Sequence, residues 1–204
     1  RSERGAIAAA SHTGSLAGSD RVFDDLMKQC GVLRAESIKE GFNWCKFLAE
    51  NPVPGGEEAV IITNGGGIGV LAADACEKYG IKLFDDHNRM RETFSAVTPE
   101  FGSTRNPVDI TGQATSTDYD SAFHAALYDP HINSVIGLYC ETAVFDAANL
   151  SGMIAGTYEN FLEGMKPIVF SLFGGEATEK CLAGLARQGV PAYGDVYESV
   201  SSMG

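Results

Sequence analysis

A chain of 204 residues with 27 acidic and 15 basic side chains carries a net charge of −12. It is long enough to bury one large α/β core or two smaller ones, and its acidic balance excludes a nucleic-acid surface, because neutralising phosphates needs a Lys/Arg excess. No apolar run approaches the ~20 residues that span a bilayer, and no signal-peptide core follows Arg1-Ser2-Glu3-Arg4.

Residues 1–18 are rich in Ala, Gly and Ser and read as a loop. Within it, Ser11-His12-Thr13-Gly14-Ser15-Leu16-Ala17-Gly18 sets one histidine among small neighbours just before a helix. Ser19 or Asp20 can cap that helix, Val22, Phe23, Leu26, Met27 and Cys30 keep to one face, and Gly31 can end it. Val32-Leu33-Arg34 reads as a short strand. Ser37-Ile38-Lys39-Glu40 then reads as a capping box that opens a helix with Ile38, Phe42, Cys45 and Leu48 inward. Two amphipathic helices and one short strand cannot close an α/β core. Residues 1–50 are therefore expected to be the C-terminal part of a domain whose earlier strands precede this chain.

Asn51-Pro52-Val53-Pro54-Gly55-Gly56 combines restricted φ with turn residues, so 51–57 is expected to be a linker. From 58 to 204 the pattern alternates strand and helix. Strands are predicted at 59–63, 81–84, 134–138, 167–172 and 190–193. Helices are predicted at 68–79 (ended by Gly80), 88–97, 117–128, 150–162 and 178–188 (closed by Gly189), with a last one opened by Asp195-x-x-Glu198. Residues 101–113, with Asn106-Pro107-Val108-Asp109, read as an irregular loop. Five strands with intervening helices predict a doubly wound parallel sheet with helices on both faces, whose ligand rim lies at the strands' carboxyl ends. The turns at 64–69 and 173–176 and the 101–113 loop belong to that rim.

Thr63-Asn64-Gly65-Gly66-Gly67-Ile68-Gly69 joins an apolar strand to a helix through glycines, aiming backbone N–H groups and the positive end of a helix dipole at an anion. Asn64, Gly65, Gly66 and Gly67 are the candidate phosphate cradle. A neutral imidazole can attack a phosphoryl donor and hold the group covalently, which makes His12 the candidate nucleophile; the plainer alternative is a solvated loop histidine. Asn106, Asp109 and Thr111 are candidates for the site rim, with bracing of the loop as the competing role. His87, His124 and His131 show no metal-ligand spacing, so no metal is assigned to this chain. The five cysteines, at 30, 45, 76, 140 and 181, are odd in number, form no Cys-x-x-Cys, and read as reduced core residues of a cytoplasmic protein.

Taken together, the histidine segment, Ile61-Ile62-Thr63-Asn64-Gly65-Gly66-Gly67-Ile68-Gly69-Val70-Leu71-Ala72-Ala73-Asp74-Ala75 and Arg105-Asn106-Pro107-Val108-Asp109-Ile110-Thr111-Gly112 resemble, in order, the nucleoside-diphosphate-forming acyl-CoA synthetases, relatives of succinyl-CoA synthetase. The resemblance implies a flavodoxin-like fold for 58–204 and the end of a second flavodoxin-like domain in 1–50. It implies interconversion of acyl-CoA, phosphate and ADP with acid, CoA and ATP through a phosphohistidine on His12. It further implies CoA, ATP/ADP and Mg2+ in the complete enzyme, phosphate at the site in this chain, a small carboxylic acid substrate, and CoA-binding and ATP-grasp domains, fused or on another subunit of an oligomer. Two other readings stand beside it. Gly67-Ile68-Gly69-Val70-Leu71-Ala72 fits G-x-G-x-x-A, with Asp85 or Asp86 where an NAD(P) module holds ribose. The other is a non-catalytic CoA-sensing domain of an acyltransferase, against which the presence of the histidine and both glycine-rich motifs argues.

Overall fold

A computed structural model describes residues 2–13 and 19–204, the side chains of His12 and Thr13 excepted. The Cα trace falls into two compact units, Arg1–Gly41 and Phe42–Gly204. Among the described residues no helix is long and apolar enough to cross a membrane.

In the first unit, Glu3–Thr13 form helix α1, where a loop was expected. Four alanines between positions 6 and 10 favour the helix. Glu3 adds an acid to its first turn, and Ser2 Oγ accepts from the Gly5 N–H at 3.2 Å. His12 therefore sits in the last turn of a helix, and residues 14–18 of its motif lie outside the described residues. Helix α2 (Asp20–Gln29) begins after Ser19, whose side chain makes no capping bond, and Gly31 follows its end with φ 66°. Its apolar face, with Val22, Phe23 and Leu26, is exposed.

Arg34 pairs with both carboxylate oxygens of Asp20, at 2.8 and 3.0 Å, and stands over the Phe23 ring at 5.5 Å. That guanidinium holds the Asp20 carboxyl down at about 2. Val32-Leu33-Arg34 is not a strand: among the described residues of this unit no neighbouring strand offers it a ladder, and Val32 and Leu33 are exposed. The helix α3 (Ile38–Glu50) opens with Ser37 Oγ accepting from the Glu40 N–H at 3.1 Å. The Glu40 carboxylate accepts from the Glu36 N–H, one residue before the expected capping-box partner.

The second unit begins inside α3, and its packing reverses the expected face. Phe47 is buried, whereas Phe42, Cys45 and Leu48 are exposed, as is Ile38 in the first unit. The opposite side is tied to the second unit by Lys46 Nζ donating to Val190 O and by Tyr158 Oη donating to Glu50 O.

Six parallel strands, one more than expected, form a single sheet. They are β1 (Glu58–Thr63), β2 (Lys82–Leu83), β3 (Val108–Asp109), β4 (Ser134–Cys140), β5 (Ile168–Phe173) and β6 (Ala192–Tyr193). The order is β2-β1-β4-β5-β6, and β3 also pairs with β1. Alternation along β1 feeds two cores. Ile61 faces α4 (Gly66–Tyr79), α9 (Val196–Met203) and Phe47. Val60 and Ile62 face α5 (His87–Phe94), α6 (Ser116–Tyr128), α7 (Leu150–Glu163) and α8 (Glu176–Arg187). Gly80 and Gly189 end α4 and α8 with φ of 76° and 80°, values that suit glycine. Of the five cysteines only Cys76 and Cys181 are fully buried; Cys30 and Cys45 are exposed, against expectation, because their helix faces meet no core.

The third strand was hidden inside the expected 101–113 loop. β2 pairs with the start of β1 and β3 with its end, leaving a gap along one edge. Asn106 fills it: its Oδ1 accepts from the Ile61 N–H at 3.0 Å, and its Nδ2 donates to Ala59 O and Phe84 O at 2.8 and 3.1 Å. Asn106 is therefore a side-chain rung of the sheet, placed beside mid-strand, and not a rim residue. Asn106→Leu leaves the Ile61 N–H and Phe84 O unpaired, while Ala59 O keeps its bond from the Phe84 N–H, and should lower the unfolding free energy in urea by about 2–3 kcal/mol.

A second polar tie joins α5 to the end of α6. The Asp129 carboxylate, 2 % exposed, accepts from Arg89 Nε at 2.8 Å, Thr93 Oγ1 and the His131 N–H. Burial alone would raise its carboxyl, but these donors hold it below the usual value. Its unfolded value is about 3.9, so its stabilisation is complete above that pH and is lost as pH falls through the lower folded value. Asp129→Asn should cost about 2 kcal/mol at neutral pH and flatten the acid limb of the stability profile. An acid limb as steep as wild type in that variant would remove this assignment.

Candidate functional site at the carboxyl edge of the sheet

From β1 the chain works outward to β2 on one side and from β4 to β5 and β6 on the other, so the switch point lies between the ends of β1 and β4. Ligands of open α/β sheets sit in that crevice. Here the β1–β4 ladder is prolonged by a side chain. Asn64 Nδ2 donates to Cys140 O and Asn64 Oδ1 accepts from the Cys140 N–H, both at 2.8 Å. Asn64 is 3 % exposed, and its amide is committed to the scaffold. The Gly65 N–H is also engaged, donating to Thr63 Oγ1 at 3.0 Å.

The open donors of the turn therefore lie one step further on than the sequence suggested. The first helical bond of α4 runs from the Gly69 N–H to Gly65 O at 3.1 Å. This leaves the N–H groups of Gly66, Gly67 and Ile68 without an intrahelical acceptor. Gly65 caps the helix with no side chain, and no acidic residue occupies the first turn. The dipole end is thus uncompensated from within α4. Nothing lies within 4 Å of the place a Cβ would take on Gly67, so packing does not demand glycine there. An approaching anion would.

Asp109 and Thr111 border this turn. One Asp109 oxygen accepts from the Thr111 N–H at 2.8 Å, and the other lies 3.2 Å from where a Gly66 Cβ would stand. Thr111 has φ 71°, and its hydroxyl is buried without a partner. The bend after β3 is therefore held by Asp109 in a conformation that costs a threonine about 1 kcal/mol or more.

The Phe173–Glu176 turn was expected at the same rim, and a residue that the sequence did not single out already occupies its helix end. Glu141, just past β4, accepts from the Gly175 N–H at 2.6 Å and from Thr178 Oγ1 at 2.9 Å. A Cβ on Gly174 would stand 2.1 Å from Thr178 Oγ1 and 2.2 Å from the Glu141 carboxylate, so only glycine fits. Two glycine-opened helix starts face this edge. That of α8 carries its own carboxylate; that of α4 remains open. The signals for Glu141 were an acid one residue beyond a central strand and a helix start, Gly174-Gly175, lacking its own cap.

Of the two acids that the dinucleotide reading offered for ribose, Asp86 is committed to the fold: its Oδ1 accepts from the Asn88 and Arg89 N–H groups, both at 3.0 Å, and caps α5. Among the described residues no group of three His, Cys, Asp or Glu side chains could hold a metal ion.

A family model described as a Ligase-CoA domain matches residues 59–203, and one described as a succinyl-CoA ligase like flavodoxin domain matches residues 1–48. The alpha subunit of acetate–CoA ligase (ADP-forming) I from Pyrococcus furiosus is 45% identical over 203 residues, which is 100% of this chain and 44% of that subunit. The 4-hydroxybutyrate–CoA ligase (ADP-forming) of Nitrosopumilus maritimus is 33% identical over 90% of this chain and 26% of its own length. Among solved structures, the dinucleotide-forming acetyl-coenzyme A synthetase 1 of Ca. Korarchaeum cryptofilum, in complex with phosphate and ADP, superimposes with a TM-score of 0.90 at 36% identity. That match covers 99% of this chain and 43% of that one. The chain thus spans less than half the length of these relatives.

Proposed function

Because the chain belongs to the ADP-forming acyl-CoA synthetase family, we propose that it supplies the phosphoryl-relay part of an acid–CoA ligase. The observation that carries the proposal is the open start of α4 at the β1–β4 switch point, with Gly66, Gly67 and Ile68 as free donors. In this reading phosphate attacks the acyl carbon of an acyl-CoA, the C–S bond breaks, and CoA leaves with an acyl phosphate formed. An imidazole nitrogen of His12 then attacks phosphorus, and the P–O bond to the acid breaks. The free carboxylate leaves, and the resulting phosphohistidine passes its phosphoryl group to ADP, giving ATP and free His12.

The chain's contributions follow from general chemistry. His12 splits one difficult transfer into two easier ones. The α4 amides meet the charge that develops on the phosphoryl oxygens without reorganising. Asp109 and Thr111 shape the cradle's border, and Glu141 keeps the α8 start from competing for the same anion. CoA, Mg2+ and the nucleotide are bound by CoA-binding and ATP-grasp domains beyond this chain, fused or on another subunit. The substrate class is a small carboxylic acid. Residues 1–50 serve as the end of the histidine-bearing flavodoxin-like domain, 51–57 as the linker and 58–204 as the second such domain.

The test is phosphoryl transfer from γ-labelled ATP to the complete protein. Acid-labile, base-stable label is expected, discharged by ADP. A folded protein that binds ATP and takes up no label would overturn the relay and favour a CoA-sensing role.

A further inference from the structure

Away from the sheet edge, α6 and α7 leave a groove of about 620 Å³ between them, a volume within the range of about 300–1,000 Å³ that small-molecule sites occupy. Its floor is apolar, with Phe123, Met153 and Phe161 buried. On the α7 side, Gly152 and Gly156 stand four residues apart on one face of the helix. Glycine weakens a helix interior, and neither backbone nor packing accounts for these two. Neither has a positive φ, and nothing lies within 4 Å of the place a Cβ would take on either. What they preserve is the open space of the groove.

Two polar groups face that space without partners of their own. Thr157 is 5 % exposed, and among the described residues its hydroxyl makes no hydrogen bond. Asp120, on the α6 wall, forms no ion pair among the described residues, and partial burial raises its carboxyl. No lysine or arginine lines the groove, so an anion would meet a carboxylate without a compensating cation. A purely apolar occupant would strip water from the Thr157 hydroxyl and the Asp120 carboxylate and replace it with nothing. An ammonium group answers Asp120, a hydroxyl answers Thr157, and an apolar body covers the two phenylalanines and the methionine of the floor. We propose that the α6–α7 groove is a binding site for a small organic ammonium compound with an apolar body. The inference is independent of the phosphoryl-relay reading, since it uses none of those residues.

Ligand-observed NMR titration of the complete protein with phenylalaninol, which carries an ammonium, a hydroxyl and a phenyl ring, tests it. Wild type should bind with a Kd of about 1 mM or below. It should hold 3-phenylpropan-1-ol, which lacks the ammonium, at least ~10-fold more weakly. Asp120→Asn should erase that preference. Gly156→Leu fills the groove from α7 and should abolish binding, while its thermal transition stays at or above that of wild type, because the new side chain favours the helix and its Cβ meets no neighbour. Thr157→Val keeps the shape of the floor and should weaken binding at least ~5-fold, a reading that stands even if Gly156→Leu fails to fold. The proposal is overturned by a wild type that does not bind phenylalaninol or binds the two compounds equally. It is equally overturned by a folded Gly156→Leu that binds as wild type does, or by a Thr157→Val with undiminished affinity.

Discussion

His12→Asn in the complete protein should abolish uptake of label from γ-labelled ATP and reduce acyl-CoA-dependent ATP synthesis by at least ~10⁴-fold, the scale seen when a covalent nucleophile is removed. Asparagine keeps a polar group of similar size but has no nitrogen basic enough to attack phosphorus. The thermal transition should stay within a few degrees of wild type, because the helical preference of α1 is carried by its four alanines between positions 6 and 10. ATP binding should also persist. A variant that retained a tenth of the wild-type rate would remove His12 from the reaction.

The second large effect concerns the α4 start. Gly67→Val adds a branched side chain beside the open amides, and nothing in the fold lies within 4 Å of its Cβ. Stability should change by less than about 1 kcal/mol, while phosphoryl transfer should fall by about 10²–10³-fold, the effect of losing preorganised donors. Asn64→Leu is the contrasting case. It breaks both 2.8 Å bonds between β1 and β4 and should lower stability by about 2–4 kcal/mol together with activity. A Gly67→Val protein that is as active as wild type would mean that the anion does not approach this turn. A Gly67→Val protein that unfolds would mean that the glycine serves packing.

How much of this was legible in the sequence differs from residue to residue. Gly80, Gly189 and the Asp195 cap announced helix ends, because a positive φ or a capping bond is settled by neighbours within four residues. The buried strands of the second unit were legible for a related reason, since an apolar run between turn residues admits few other fates. The face of α3 was not. Both of its sides carry apolar residues, and the choice of Phe47 over Phe42 and Leu48 depends on which side meets the sheet. His12 was placed in a loop because alanine, glycine and serine were read as one flexible class, whereas the alanines alone outweigh the rest as helix formers.

By itself, the sequence determined the alternation of strands and helices, the glycine-opened turn after the first strand and the family to which these motifs point. All of these rest on local backbone preferences and short spacings. Only the tertiary structure decided which polar groups remain free. Asn106 and Asn64 became rungs of the sheet, and Glu141 closed the start of α8. The open amides narrowed to Gly66, Gly67 and Ile68. A hydrogen bond between residues 34 or 76 positions apart leaves no periodicity to read. It forms because parallel strands bring distant chain segments to one edge, where every buried donor and acceptor must find a partner.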